Sequence, residues 1–131
     1  MKPVDPGEPL VWLQRARSNL LIAQKSKRKG VMLEDLCFNA QQAAEKALKA
    51  ACLAQDLGSP RTHSLVQLSD LLEAAGVAVP EIIRSAGVLT QYAVQARYPG
   101  PVEEVTQEEY EEALTLASKV VFWAEAFVSG K

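Results

Sequence analysis

Histidine occurs once in this chain, at His63, and cysteine twice, at Cys37 and Cys52. A structural zinc site needs several such ligands at short spacing, and none is spaced that way. The cysteines are fifteen residues apart on one predicted helix, roughly 22 Å at the α-helical rise. A disulfide requires Cα atoms within about 7 Å, so an intramolecular bridge is excluded on that helix. No apolar run is long enough to cross a bilayer. The first residues, Met1-Lys-Pro-Val-Asp-Pro-Gly-Glu8, lack the apolar stretch of a signal peptide. They read as a flexible leader over 1–8, and the expected compartment is the cytoplasm. There is no Gly-rich phosphate loop, no nucleophile elbow and no metal-binding His pair. No segment reads as a convincing strand.

What is present is helix. The chain has 131 residues, 48% of them hydrophobic and 23% charged, which excludes disorder throughout and suits one modest core. A single domain is expected over 9–129. The first helix is predicted from Pro9 to Lys29, with Trp12, Leu13, Ala16, Leu20 and Ala23 as its stripe and Gly30 beyond its end. The second spans Leu33 to Leu57 and stops at Gly58-Ser-Pro60. The third starts near Thr62 or Ser64, either of which suits an N-cap, and ends at Gly76. The fourth takes Pro80 in its first turn and continues to Arg97, before Pro99-Gly-Pro101. Thr106-Gln-Glu-Glu109 has capping-box spacing and opens the fifth. Short connections favour antiparallel neighbours. The fold class is therefore all-α: an antiparallel up-and-down bundle of about five helices, a four-helix core plus one.

Charge is unevenly spread. Residues 1–61 carry a net +4 and residues 62–131 a net −6. Lys25-Ser-Lys-Arg-Lys29 is a basic cluster that suits phosphate or an acidic partner, or simply a solvated helix end. The second helix is the most unusual segment. At 100° per residue, Ala40, Ala43, Ala44, Ala47 and Ala51 share one face with Leu33, Leu36 and Ala54. Such a face lets another helix approach closely. The opposite face carries Gln41, Gln42, Glu45 and Lys49, with Phe38 and Cys52 among them. On pattern alone its plain account is a solvated face. Glu45 and Lys49 have the favourable i,i+4 order for pairing; if buried, they need partners. Arg61-Thr-His63 stands at a helix start, where a phosphate is well received, though the same tripeptide suits capping and packing. Arg97, in the last turn of the fourth helix, either satisfies backbone carbonyls or grips a phosphate, with Tyr98 stacking a base.

Together these segments resemble one family. Cys37-Phe-Asn-Ala-Gln-Gln-Ala-Ala-Glu-Lys-Ala-Leu-Lys49, Arg61-Thr-His63, and Tyr92 followed by Arg97-Tyr-Pro99 are similar in order and spacing to the HEPN domain family (higher eukaryotes and prokaryotes nucleotide-binding), from about Trp12 to Phe127. The resemblance implies a helical bundle, a homodimer, and a minimal nucleotidyltransferase partner in a toxin–antitoxin pair. It implies either metal-independent ribonuclease activity or binding of a nucleotide or RNA without cleavage. The ribonuclease members carry an Arg and a following His at short spacing. Here positions 56–58, where that Arg would precede His63, are Asp, Leu and Gly, and no histidine follows Arg97. The imidazole for acid–base work is out of place, so no catalytic residue, metal or cofactor is assigned. The expected function is phosphate binding through Lys49, His63 and Arg97, with Gln42 and Glu45 orienting them and Tyr98 and Tyr92 stacking. Gln41 is expected to be the more structural glutamine. The alternatives are a toxin ribonuclease with a rearranged site of His63 and Arg97, and a ligand-free dimerisation partner.

Overall fold

The structure, a computed structural model, describes residues 7–24, 29–95 and 104–130. All its regular elements are helical: α1 (Pro9–Ala23), α2 (Leu33–Ala54), α3 (Leu65–Ala74), α4 (Glu81–Arg84), a 3₁₀ helix (Ser85–Leu89), α5 (Thr90–Gln95) and α6 (Gln107–Ser129). Counting the three consecutive pieces from Glu81 to Gln95 as one interrupted helix gives the five expected. The interruption falls around Gly87. A Cβ there would lie 2.6 Å from Val66 Cγ2 of α3. Glycine's poor helix propensity and this close approach act together.

The order is up-down-up-down. Trp12 of α1 lies against Lys49 and Asn19 against Asn39, so α1 and α2 are antiparallel. Glu34 at the start of α2 accepts from Val105 N–H just before α6, at 3.1 Å, so α2 and α6 run the same way, as diagonal members of such a bundle do. The interrupted helix runs against α6: Ile83 shares a groove with Phe122 and Ala126, and Tyr92 one with Glu109. The short α3 is the extra helix.

Helix ends follow local chemistry. Ser64, not Thr62, caps α3: its Oγ accepts from Gln67 N–H at 3.2 Å, while Thr62 Oγ1 accepts from Ser64 N–H at 3.0 Å. Thr90 Oγ1 accepts a further α3 amide, Leu65 N–H, at 3.2 Å. The capping box at Thr106 and Glu109 is complete. Gly76 ends α3 at φ 89°, with Val77 N–H reaching back to Leu72 O at 3.0 Å; this is the left-handed cap that glycine favours. The end of α2 differs from the expectation. It stops at Ala54, and Asp56, not Gly58, takes the left-handed cap position at φ 59° with Leu57 N–H bonded to Cys52 O. Helix α1 stops at Ala23 rather than Lys29. Tyr110 of α6 donates its hydroxyl to the Ala23 carbonyl and so satisfies one orphan group of that terminus. Residues 25–28 of the basic cluster lie outside the described residues.

Helix α2 is the axis of the bundle. Ala40, Ala43, Ala44, Ala47, Ala50 and Ala51 are buried, as are Leu36, Leu48, Cys37 and Cys52. The small side chains let α1 and α6 approach the α2 backbone. The other face of α2 is buried as well. The solvated polar face expected from the pattern is corrected here: α1 and the segment before α3 cover it, so its polar groups had to find partners within the protein.

Candidate functional site

Gln41, Glu45 and Lys49 are buried on successive turns of α2, at 0%, 4% and 6% exposure. One carboxylate organises them. Glu45 Oε1 accepts from Gln41 Nε2 at 2.9 Å and Oε2 accepts from Lys49 Nζ at 3.0 Å. From the α3 side, His63 Nδ1 lies 3.2 Å from Oε1 and 3.1 Å from Oε2. A carboxylate only accepts, so Nδ1 carries the hydrogen and Nε2 is turned away from Glu45. The His63 side chain is 50% exposed, so this edge of the cluster meets solvent. Gln42 Nε2 donates to Gln41 Oε1 at 2.7 Å, which extends the relay to the surface.

Burial pushes the Glu45 carboxyl up. Hydrogen bonds from Gln41, Lys49 and His63, with the Lys49 charge, outweigh that and hold it below the ordinary value. Lys49 Nζ also lies 5.8 Å from the centroid of the Trp12 ring, within cation–π range. A buried ammonium therefore has a carboxylate on one side and an aromatic face on the other.

A second chain of polar contacts runs beside this one along the α1/α2 seam. Lys46 Nζ donates to Asn19 Oδ1 at 2.8 Å, Asn19 Nδ2 to Asn39 Oδ1 at 3.0 Å, and Asn39 Nδ2 to the Asp35 carbonyl at 3.0 Å. Burial, then neighbouring Arg15, hold the Lys46 ammonium below its ordinary value, with Lys49 adding to them and Glu45 opposing.

Of the six candidate residues, Glu45, Lys49 and His63 touch directly, and Gln42 joins through Gln41. Arg97 and Tyr98 lie outside the described residues. Gln41 is enclosed and fixes one carboxylate oxygen. Tyr92 does not present a ring for stacking. It is 6% exposed, packed in the core, and burial beside Cys37 pushes its phenol up to about 12. Arg61 is exposed. Trp12, Asn19 and Lys46 belong to the seam, and sequence reasoning does not single them out as site residues. Trp12 reads from the pattern only as part of an apolar stripe, and the i,i+7 recurrence of Asn39 and Lys46 is the available signal for the second chain. Among the described residues no group of three or more His, Cys, Asp or Glu side chains is placed to hold a metal ion, and no helix is long and apolar enough to cross a membrane.

The chain has counterparts among known proteins. The family model described as HEPN domain matches residues 10–127. The crystal structure of TT1696 from Thermus thermophilus is similar at 40% identity and a TM-score of 0.78, over 91% of this chain and 97% of that one. That of ST0689, described as an archaeal HEPN homologue, is similar at 27% identity and a TM-score of 0.71, over 98% and 99%. Among curated proteins no significant match was found.

Proposed function

This chain belongs to the HEPN domain family, and from that premise we propose that it binds the phosphate of a nucleotide or RNA without cleaving it, in partnership with a minimal nucleotidyltransferase in a toxin–antitoxin-type pair. One observation carries the reading. Lys49 and His63, from two separate segments, converge on the single buried carboxylate of Glu45, whose outer edge is a half-exposed imidazole. A lysine held under an aromatic ring and an imidazole with a fixed orientation suit an anion at the mouth of the seam. The full chain titrated calorimetrically with ATP, GTP and a short RNA should give heat with at least one of them. His63→Ala should weaken that binding about fivefold, the worth of one hydrogen bond of about 1 kcal/mol. Silence with all three, together with tight binding to a nucleotidyltransferase, would return the chain to a ligand-free structural role.

A second reading has its own observation. A carboxylate within 3.1 Å of His63 Nδ1 orients an imidazole as a general base requires. This is the rearranged ribonuclease. Histidine-dependent cleavage of RNA by the purified protein, lost in His63→Ala, would favour it over the binding reading.

We propose that a homodimer would form on the α4/α6 side of the bundle. Phe122 is 73% exposed. It forms part of the wall of a shallow groove of about 520 Å³, with Pro80, Ile82, Ile83 and Trp123. An exposed ring and a hollow on one face allow two copies to pack that face against itself about a two-fold axis. Each buried ring would contribute about 2 kcal/mol.

A further inference from the structure

We infer that Arg15 and Lys46 form a second anion subsite on the same α1/α2 seam, so that the seam takes a ligand with at least two consecutive phosphates. The inference rests on the phosphate-binding reading above and deepens it.

The faces that meet across the seam are set by spacing. Trp12, Arg15 and Asn19 form one stripe of α1, at i, i+3 and i+7; Asn39, Gln42, Lys46 and Lys49 form one stripe of α2. With the helices antiparallel, Trp12 meets Lys49 and Asn19 bridges Lys46 and Asn39, and this register sets Arg15, between Trp12 and Asn19 on its stripe, at the level of Lys46. Lys46 and Lys49 are three residues apart, about 4.5 Å along the axis. The two subsites are therefore neighbours on one rail.

Charge on this rail does not balance. Lys46 faces two cations, Arg15 and Lys49, and the single carboxylate of Glu45, which already accepts from Gln41, Lys49 and His63. Elsewhere among the described residues the half-buried cations are neutralised, while the exposed ones, like Arg15, are not. Arg17, next along α1, pairs with Glu125, and Arg84 pairs with both Asp70 and Glu73. Among the described residues Arg15 makes no hydrogen bond or ion pair. Lys46 makes no ion pair; its one partner is the neutral Asn19 carbonyl, which leaves it donors to spare. Holding a half-buried ammonium against two like charges is unfavourable unless an anion joins them. The planar guanidinium of Arg15 supplies the paired donors that a phosphate accepts. Consecutive phosphates come from a nucleotide's polyphosphate or from an RNA backbone, and both present this chemistry.

The test is calorimetry on the full chain with AMP, ATP and a 5′-hydroxyl oligoribonucleotide, in wild type, Arg15→Gln and Arg15→Gln/Lys46→Gln. Arg15 is exposed, so its single substitution leaves the fold intact even if the double does not. With a nucleotide as occupant, ATP binds at least tenfold more tightly than AMP, and both variants erode that preference while AMP affinity stays put. With RNA as occupant, the salt slope of binding falls by about 1.4 in the double variant, the value for two single-strand phosphates, and by about half that in Arg15→Gln. Equal affinity for ATP and AMP together with an unchanged RNA salt slope overturns the second subsite and leaves the phosphate-binding reading standing. Absence of binding by all three probes overturns both.

Discussion

The α1/α2 seam and the α4/α6 groove are long surfaces of the same bundle built on opposite plans. The seam encloses polar atoms and satisfies them one by one: Gln41, Lys49 and His63 on Glu45, Lys46 and Asn39 on Asn19. The groove leaves apolar atoms in water, with Phe122 and Ile82 exposed and Trp123 stacked on Phe127 at 5.3 Å. Hydrogen-bonded ion pairs are directional and fail together when one partner goes. Apolar contact is graded and can be traded atom by atom. A buried ion pair is a weak way to hold a bundle together, since well-packed hydrophobes of similar volume do as well or better. Its presence in the seam thus speaks for a task other than stability, while the exposed groove speaks for a missing apolar partner.

The sharpest way to break this contrast is at Glu45. Glu45→Ala leaves Lys49 buried without its counter-charge and is expected to lower the unfolding free energy by about 3–5 kcal/mol, read by urea denaturation. Adding Lys49→Met should recover much of the loss. A plain sum of the two single effects would show that the residues do not act as a unit.

Acid should separate the two regions next. The Glu45 carboxyl is held below its ordinary value of 4.5 in the folded state. A group depressed in this way stabilises the fold above its unfolded pKa, and that contribution is lost as pH falls through the folded pKa. Stability should therefore decline below about pH 4.5, and more gently in Glu45→Gln. Equal acid profiles for the two proteins would remove the seam from the account of acid sensitivity.

On the apolar side the effects are smaller. Gly87→Ala places a methyl against Val66 Cγ2 but stiffens the unfolded chain, so a net loss under about 1 kcal/mol is expected. The loss should vanish in a Val66→Ala background. Smallest of all in stability is Phe122→Ser, expected to move monomer unfolding by no more than about 0.5 kcal/mol. With the proposed homodimer on this groove, its effect is expected instead in sedimentation, as loss of self-association. A Phe122→Ser protein that still dimerises would take the groove out of the interface.

Helix positions were legible where periodicity and end chemistry agreed. The alanine stripe of α2, the capping box at Thr106 and the Gly76 cap are all local signals, and the fold follows them. Less legible were features set by neighbours. Nothing in the sequence around Asp35–Lys49 says that both faces of α2 are covered, because coverage depends on α1 and on the segment bearing His63. Gln41 and Lys49 read as solvent-facing by the same amphipathic logic that placed the alanines inside. Asp56 takes the left-handed cap that Gly58 advertises, and Gly87 breaks a helix whose apolar stripe runs straight through it. The approach of Val66, which leaves no room for a side chain at Gly87, is a tertiary fact. Within the site, Glu45, Lys49 and His63 could be named as separate residues, whereas their meeting and the Trp12 ring over Lys49 required the packed bundle.

The enclosure of α2 has a consequence for how the protein opens. Its amides lie behind α1, α3 and α6, so solvent hydrogen can reach them only when those helices leave. The slowest-exchanging amides should therefore form one rod from about Leu36 to Cys52. The rod carries Glu45 and Lys49, so a molecule held on the seam would raise the protection of the whole rod by mass action, amides far from the contact included.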